Sequence, residues 1–246
     1  MPANAGMAFF LITPTQGTPM TFVFSPPAQA SVAIAGSADL FPVHRIYCVG
    51  RNYADHAIEM GDTGREAPFF FMKPADAVLP VAEGSVGVMP YPSMTQDLQH
   101  EIELVVAIGR GGKDIAVADA VAHIWGYAIG LDMTRRDLQG ASKKLGRPWC
   151  TGKGFDYSAP IGPLHREVPS GTISLQVNGV PRQAGTLGNM IWNVAETIAQ
   201  LSTLFELQAG DLIFTGTPAG VAAVVPGDLL EGRIEGLGSL QVRIDQ

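Results

Sequence analysis

The stretch EIELVVAI, residues 101–108, decides how this chain folds. Its first half alternates charged and apolar residues with the period of a β-strand, and its second half is apolar on both faces. A strand of this kind is expected at the centre of a sheet. Because residues two positions apart on a strand point to the same side, Glu101 and Glu103 share one face. The pattern therefore predicts a central strand that presents two carboxylates together.

Short elements separated by turns surround this strand. The 29 glycines and 18 prolines are spread along the chain, which is typical of a β-rich fold. The pair Asn178-Gly179 predicts a tight hairpin turn. Further strands are predicted at residues 46–50, 68–72, 126–131, 172–177, 180–183, 211–216, 229–235 and 239–244.

Helical spacing is found at residues 52–60, 115–123, 134–145 and 190–205. Thr134 and Asp137 have the spacing of a capping box at the start of the third segment. We therefore predict an α+β, β-rich fold with one main domain over residues 41–246. Residues 1–40 are assigned to an N-terminal extension with lead-in strands near 21–24 and 31–34.

The composition excludes several classes of protein. Of the 246 residues, 46% are hydrophobic and 16% are charged, which rules out a disordered chain and suggests that some surface is buried against another subunit. The net charge of -7 disfavours binding to nucleic acid or to anionic lipid, since both need a basic face. An anionic substrate must therefore meet locally placed arginines and lysines.

Several sequence features predict where the protein resides. Cys48 and Cys150 have no CxxC spacing and are expected to be reduced thiols. The short apolar stretch at 7–12 lacks the basic residues that precede the core of a signal peptide. No apolar run reaches the ~20 residues that a membrane helix needs. We predict a cytoplasmic protein that does not enter a membrane.

Three acidic residues form the strongest candidate site. Asp132 follows the strand predicted at 126–131, so it can close from a neighbouring strand end a site that Glu101 and Glu103 begin. An all-carboxylate set suits Mg2+, Mn2+ or Ca2+ better than zinc. The alternative is a solvated edge strand, where exposed glutamates are common. On a central strand, however, paired acids need a counter-ion.

Other polar residues are candidates for the chemistry. His56 and Glu59 are three positions apart on a predicted helix, so the carboxylate can orient the imidazole as a general base, unless the two form a surface pair. Gly61 and the polar residues that follow favour a mobile lid. Lys153, between two glycines, is placed either to reach a bound anion or to lie in solvent.

Two further groups of residues are candidates for binding an anion. The turn at 216–220 offers backbone N–H groups and the Thr217 hydroxyl. A distal carboxylate needs a bidentate partner, and the sequence does not choose among Arg51, Arg135, Arg136 and Arg147.

Six motifs in a fixed order give the chain a family resemblance. They are CVGRNYADH at 48–56, FMKP at 71–74, HEIE at 100–103, GLDMT at 130–134, GKGFD at 152–156 and GTPAG at 216–220. Together they resemble the fumarylacetoacetate hydrolase family over most of the chain. The resemblance implies a mixed β-roll or sandwich of the C-terminal-domain type, a homodimer and one divalent metal ion, Mg2+, per subunit. It makes the main domain a metal-dependent catalytic domain.

The resemblance also implies a role for each candidate residue. The metal ligands correspond to Glu101, Glu103 and Asp132. The catalytic residues correspond to His56 and Glu59, which activate water, and to Lys153. The substrate-binding residues correspond to Gln139, which forms a substrate-contacting pair with Lys153, and to Thr217. Apart from the resemblance, we predict that Arg51 also binds substrate. The segment WCT at 149–151 departs from the family pattern, so the resemblance makes no prediction for that part of the pocket wall.

Four long stretches are most similar to the members of this family that act on fumarylpyruvate in the gentisate pathway of aromatic catabolism. They lie at 45–60, 68–78, 97–106 and 125–139. The similarity implies hydrolysis of a carbon–carbon bond in an acylpyruvate, a small anionic diketo acid, giving fumarate and pyruvate. An oxaloacetate decarboxylase or a diene-dioate isomerase would use the same site. A non-catalytic protein with a structural Ca2+ is a more distant alternative.

Overall fold

The computed structural model describes residues 22–53 and 66–246. Its strands are β1 Ser31–Ala33, β2 Leu40–Pro42, β3 Ile46–Gly50, β4 Phe69–Lys73, β5 Val78–Pro80, β6 Val86–Pro90, β7 Leu98–Gln99, β8 Ile102–Ile108, β9 Ile124–Leu131, β10 Thr134–Arg135, β11 Ala159–Ile161, β12 Thr172–Val177, β13 Val180–Thr186, β14 Leu212–Phe214, β15 Ala223–Val224, β16 Leu229–Ile234 and β17 Gly238–Asp245. The described helices are α1 Arg136–Lys144, α2 Cys150–Lys153 and α3 Val194–Leu204, with 3-10 turns at Ala75–Ala77, Ala120–His123 and Leu187–Asn189.

The central sheet has seven strands in the order β4-β3-β14-β8-β9-β11-β5. Its middle strand β8 is buried along its whole length and pairs antiparallel with β14 on one side and β9 on the other. Leu104 and Val106 on one face of β8 belong to one apolar cluster, and Val105 and Ala107 on the other face belong to a second cluster. These two covered faces explain the apolar run in the sequence.

A second sheet covers one of these faces. It has five strands in the order β13-β12-β16-β17-β6. In β12, Ile173, Leu175 and Val177 are buried and alternate with more exposed residues. A side chain at Gly232 would meet Ile102 Cδ1 at 2.8 Å, so the glycine lets the two sheets approach closely. The short antiparallel pair of β1 and β2 contributes to the cluster on the opposite face.

The hairpin between β12 and β13 forms where the Asn-Gly pair predicts it. Asn178 has φ 52° and Gly179 has φ 76°, so both central residues adopt the left-handed conformation. This is the geometry of a type I′ turn, which matches the twist of the flanking strands. The hairpin prediction is confirmed, and each of the other predicted strands of the main domain overlaps an observed one.

Three of the helix predictions were too long. The helix predicted at 134–145 spans Arg136–Lys144. Residues 115–123 form only the 3-10 turn Ala120–His123 at their end. The helix predicted at 190–205 spans Val194–Leu204, because Asn193 and Glu196 form a capping box that fixes its start. Most of the helix predicted at 52–60, with His56 and Glu59, lies outside the described residues.

The capping box predicted at Thr134 is also wrong. Thr134 lies in β10, and its hydroxyl donates to the Asp132 carbonyl at 3.1 Å. Asp137 instead accepts a hydrogen bond from the Thr95 hydroxyl at 2.6 Å. Of the predicted lead-in strands, residues 22–24 form none and Ser31–Ala33 form β1.

The predicted fold class is confirmed, because the described chain is rich in strands and has few helices. The division at residue 40 stays a prediction. None of the described helices is long and apolar enough to cross a membrane.

Candidate functional site

Three buried carboxylates meet at one end of the central sheet. Oxygens of Glu101, Glu103 and Asp132 all lie within 4.8 Å of one another. The antiparallel register of β8 and β9 places Glu103 opposite Gly130, and the Asp132 N–H donates to the Glu101 carbonyl at 2.8 Å. The sequence prediction that these three residues share one site therefore agrees with where the structure places them.

Three cationic side chains surround the carboxylates. Lys153 Nζ donates to Glu101 Oε2 at 2.7 Å and to Asp132 Oδ2 at 2.6 Å. Lys73 Nζ lies 2.8 Å from Asp132 Oδ1, and Arg136 forms an ion pair with Glu101 Oε1. With all six groups charged, the three negative and three positive charges cancel.

The two glutamates of β8 have different electrostatic surroundings. Burial alone would raise the pKa of Glu101, but Lys153 and Arg136 outweigh burial and lower it. Burial raises the pKa of Glu103 well above its ordinary value, and the carboxylates of Asp132 and Glu101 raise it further. Glu103 Oε2 accepts a hydrogen bond from the Gly216 N–H at 2.8 Å. Among the described residues, Glu103 pairs with no cation.

Helix α2 positions Lys153 beside the carboxylates. A side chain at Gly152 would meet the backbone nitrogen of Gln139 at 2.8 Å, so this glycine allows α2 to pack closely on α1. Burial would lower the pKa of Lys153, but Asp132 and Glu101 outweigh burial and raise it. The side chain is 2% exposed, which excludes the solvated lysine that the sequence left open.

A cleft opens onto the carboxylates. Its lining consists of Val49, Gly50, Arg51, Phe69, Phe71, Glu101, Glu103, Arg136, Gln139, Trp149, Lys153 and Thr217. The structure thus brings Arg51, Gln139, Lys153 and Thr217 together with the acidic residues. Asp132 lies at the base of the site and is fully buried. His56 and Glu59 lie outside the described residues.

The structure separates the four candidate arginines. Arg51 and Arg136 line the cleft. Arg135 stacks on the Phe155 ring at 4.5 Å, and Arg147 lines a neighbouring groove. Only the first two are therefore placed at the lining of the cleft.

Thr217 does not present a free hydroxyl to the cleft. Its Oγ1 donates to the Ile102 carbonyl at 2.7 Å and accepts a hydrogen bond from Gln183 Nε2 at 2.7 Å. A hydroxyl has one proton, so this donor is already used within the protein. Thr217 is a residue of the cleft wall in the described arrangement.

Residues 45–245 match the family described as fumarylacetoacetate (FAA) hydrolase C-terminal. The chain belongs to the fumarylacetoacetate hydrolase family. The match covers the carboxylates, the cations around them and the cleft, and it confirms the resemblance seen in the sequence motifs.

Relatives within this family differ in the reactions that their names describe. A fumarylpyruvate hydrolase of Pseudomonas aeruginosa, solved in complex with Mn2+ and pyruvate, is 56% identical with a TM-score of 0.90, covering 92% of this chain and 99% of that chain. A fumarylpyruvate hydrolase of Ralstonia sp is 43% identical over 187 residues, 74% of this chain and 95% of the relative. A mitochondrial oxaloacetate tautomerase of Rattus norvegicus is 41% identical over 206 residues, 82% of this chain and 91% of the relative.

Sequence reasoning assigned no role to several residues of the site. Lys73 belongs to the FMKP motif at 71–74, and the signal for its role is a lysine at the end of an apolar strand. Phe69, Phe71 and Trp149 form an aromatic wall of the cleft. The Trp149 ring lies 5.3 Å from the Phe69 ring at 89° and 5.6 Å from the Phe71 ring at 54°.

Proposed function

We propose that this chain is a divalent-metal-dependent hydrolase that cleaves fumarylpyruvate, an acylpyruvate, into fumarate and pyruvate. The observation that carries the proposal is the buried set of Glu101, Glu103 and Asp132 at the base of a cleft with cationic and aromatic walls. Support comes from the 56% identical fumarylpyruvate hydrolase that was solved with Mn2+ and pyruvate.

The donor set fits a divalent cation. Glu101, Glu103 and Asp132 offer hard oxygen ligands, the kind that Mg2+ and Mn2+ prefer. Glu103 is a buried carboxylate without a cationic partner among the described residues, and such a group favours the approach of a cation. We propose Mg2+ as the physiological ion. When bound, the ion polarises the 2-oxo group of the substrate and stabilises enolate charge.

The charge balance favours a dianionic ligand. Three carboxylates and the three cations Lys73, Lys153 and Arg136 are equal in number, so with all six charged a divalent ion adds two uncompensated positive charges. A pyruvate enolate carries two negative charges, one on its carboxylate and one on its enolate oxygen. The filled site would then be neutral again, which is the condition under which buried charges are tolerated.

Residues of the protein position the carboxylates, bind the substrate and transfer a proton. Lys153 and Arg136 hold the Glu101 carboxylate in place by charged hydrogen bonds. Arg51 and Gln139 line the cleft where the rest of the substrate would bind. His56, oriented by Glu59, is proposed to take a proton from water as the water attacks the 4-carbonyl carbon. The bond between C3 and C4 then breaks, and its electron pair stays on pyruvate as the enolate.

The aromatic wall of the cleft supports the proposal of a substrate with a planar acyl group. The Phe69 and Phe71 rings both contact Trp149, and all three side chains line the cleft. A side chain at Gly50 would meet the Phe69 ring at 2.0 Å, so this glycine makes room for the wall. Flat apolar surfaces pack well against a flat, conjugated chain such as the fumaryl group.

A second candidate function uses the same site without water. The 41% identical relative from Rattus norvegicus is an oxaloacetate tautomerase. Tautomerisation or decarboxylation of oxaloacetate needs a stabilised enolate but no base that activates water. A diene-dioate isomerase belongs to the same class of alternatives, and the role of His56 is what separates these activities from hydrolysis.

One assay tests the proposed function. The loss of diketo-acid absorbance is followed for fumarylpyruvate, acetylpyruvate and oxaloacetate in parallel, with Mg2+ and with chelator. We expect metal-dependent cleavage of fumarylpyruvate at the highest kcat/KM, with fumarate and pyruvate as products. Turnover of oxaloacetate alone would replace the proposal by the second candidate function.

We also propose that the protein is a cytoplasmic homodimer. Val121 and Val168 are 63% and 73% exposed and line an apolar groove together with Met190 and Val194. Burial of such a groove by a second copy would remove apolar surface from water. Light scattering after size exclusion measures the mass, and a monomer at micromolar concentration would contradict the dimer.

A further inference from the structure

One polar side chain of the five-stranded sheet points into the protein towards the site. Gln183 in β13 is 1% exposed and lies opposite Leu175 of β12, on the face that packs against the central sheet. An apolar residue is expected at such a position. The burial of an amide there calls for hydrogen-bonding partners.

Every hydrogen-bonding position of this amide is occupied. Gln183 Oε1 accepts from the Ile102 N–H at 3.1 Å and lies 2.8 Å from His100 Nδ1. Gln183 Nε2 donates to Thr217 Oγ1 at 2.7 Å and to the Pro218 carbonyl at 2.8 Å. An amide has two donor and two acceptor positions, and all four are used here.

The orientation of the amide is fixed by two partners. The Ile102 N–H can only donate, so it must face Gln183 Oε1. The Pro218 carbonyl can only accept, so it must face Gln183 Nε2. Flipping the amide would place two donors against each other and two acceptors against each other, which is unfavourable in a buried site.

These bonds replace a missing strand beside the metal ligands. Strand β14 ends at Phe214, which pairs with Val105 of β8. Beyond that end, no described strand pairs with β8 at Ile102 on this side. Gln183 accepts from the Ile102 N–H, and the Thr217 hydroxyl donates to the Ile102 carbonyl. Ile102 lies between Glu101 and Glu103, so the amide completes the sheet where the carboxylates emerge.

The same amide fixes the turn at 216–220. Gln183 Nε2 holds Thr217 and Pro218, while the Gly216 N–H at the start of the turn donates to Glu103. A side chain at Gly220 would meet the Arg182 carbonyl at 2.1 Å, so the far end of the turn also packs against β13. The hairpin of β12 and β13 therefore supports one wall of the cleft.

We infer that Gln183 is a positioning residue that holds the turn at 216–220 against Ile102 and so fixes the cleft wall beside the three carboxylates. The inference rests on the proposed function in one respect, because that function places a 2-oxo acid in the cleft that Thr217 lines. Gln183 touches none of the three carboxylates. Its loss should therefore weaken the binding of an anion in the cleft much more than the binding of the metal ion.

Gln183→Met tests this inference, because it removes all four hydrogen bonds with little change in volume. The probes are Mn2+ alone and oxalate, a dianion that resembles the pyruvate enolate, bound to Mn2+-loaded protein. We expect oxalate affinity to fall about tenfold, the order expected when buried partners lose one hydrogen-bonding group. Affinity for Mn2+ alone should change less than about threefold. Amides at 216–220 should exchange hydrogen faster.

Gln241→Met is the matched control. Gln241 belongs to β17 of the same sheet, and its Nε2 donates to Glu231 Oε2 at 2.7 Å in a partly buried position. This variant should keep wild-type affinity for Mn2+ and oxalate. If Gln183→Met is too unstable, Gln183→Leu removes the same four hydrogen bonds without adding a charge, and it should show the same loss of oxalate affinity.

The outcomes separate this inference from the proposed function. Wild-type oxalate affinity and unchanged exchange at 216–220 in Gln183→Met would overturn the inference and leave a purely structural residue. An equal loss of Mn2+ and oxalate affinity would also overturn it, because the amide would then act on the metal ligands. The expected pattern in a protein that cleaves no acylpyruvate would uphold the inference while rejecting the proposed reaction.

Discussion

The two large sheets differ in the polar side chains that they bury. Along β12 and β17 of the five-stranded sheet, buried apolar residues alternate with more exposed ones. In the seven-stranded sheet, Glu103 of β8 and Lys73 of β4 are 2% and 1% exposed. Burial of a charge is unfavourable unless the charge is paired and hydrogen-bonded. Buried charges of the candidate site therefore belong to the seven-stranded sheet, while the five-stranded sheet buries mainly apolar side chains.

Each sheet contains one buried polar residue that departs from the pattern of the rest of its sheet. Gln183 is a fully buried polar residue in the five-stranded sheet, and its hydrogen bonds reach Ile102 and Thr217 at the site. Glu103 is a buried acid in the seven-stranded sheet without a cationic partner among the described residues. In both sheets, the buried polar residue that departs from the pattern of its strand thus lies in or next to the candidate site.

The largest effect is expected at Glu103. Glu103→Gln removes one negative ligand, so Mn2+ affinity should fall by ~100-fold or more, because charge governs affinity at carboxylate sites. The metal-free variant should be as stable as the wild type or more stable, since Glu103 is buried and has no cationic partner among the described residues. Calorimetric titration measures the affinity, and thermal melting with chelator measures the stability.

Asp132→Asn is the contrasting variant. It should lose Mn2+ as completely, but its metal-free form should melt at a lower temperature, because Lys73 and Lys153 lose a buried partner. Equal melting temperatures for the two variants would contradict the view that, of the three carboxylates, Glu103 alone lacks a cationic partner within residues 22–53 and 66–246. Asp245→Asn, at the exposed end of β17, is the control for a charge change outside the site.

The parts of the structure that local patterns determine were predictable. The apolar run of β8 predicted a central strand, and the period of two placed Glu101 and Glu103 together. The Asn178-Gly179 pair predicted its hairpin, because few other residues favour two left-handed conformations in succession.

The parts that depend on distant residues were not predictable. Lys73 is 59 positions from Asp132 in the chain, and Gln183 is 81 positions from Ile102. No local period encodes such pairs, because the sheets must first assemble before these side chains meet. The start of α3 was missed for a simpler reason: Asn193 caps the helix, but the apolar spacing begins before it.

The next effect concerns the connection between β3 and β4 of the seven-stranded sheet, which contains His56. If His56 is the general base, His56→Ala should lower kcat for fumarylpyruvate hydrolysis by ~10²-fold or more, the usual scale for a positioned base. Binding of Mg2+ and oxalate should be kept. Glu59→Ala should show a milder loss, because it removes only the orienting group. Hydrolysis at the wild-type rate in His56→Ala would place the base elsewhere.

A smaller effect is expected at the aromatic wall beside β4. Trp149→Leu removes the flat surface that contacts Phe69 and Phe71. The ratio of kcat/KM for fumarylpyruvate to that for acetylpyruvate should fall about tenfold, on the scale of lost packing against one aromatic ring. Trp149→Phe should retain most of the preference. A ratio that does not change in Trp149→Leu would mean that the wall does not contact the acyl group.

The smallest effect is expected from the same substitution, glycine to alanine, made once in the five-stranded sheet and once beside the site. Gly179→Ala puts a methyl group where φ is 76° in the hairpin of the five-stranded sheet, and Gly140→Ala puts one on helix α1 beside the site. An ideal Cβ meets no atom within 4 Å at either position, so only the backbone conformation differs.

The left-handed conformation costs alanine about 1 kcal/mol, so Gly179→Ala should lower the melting temperature by roughly 2–4 °C. Gly140→Ala should raise it by a similar or smaller amount, because alanine favours a helix by about 1 kcal/mol over glycine. Since neither methyl group reaches the carboxylates, Mn2+ and oxalate affinities should match the wild type in both variants. A change in affinity with Gly179→Ala alone would show that the hairpin transmits strain to the site through Gln183. The five-stranded sheet would then affect ligand binding as well as stability.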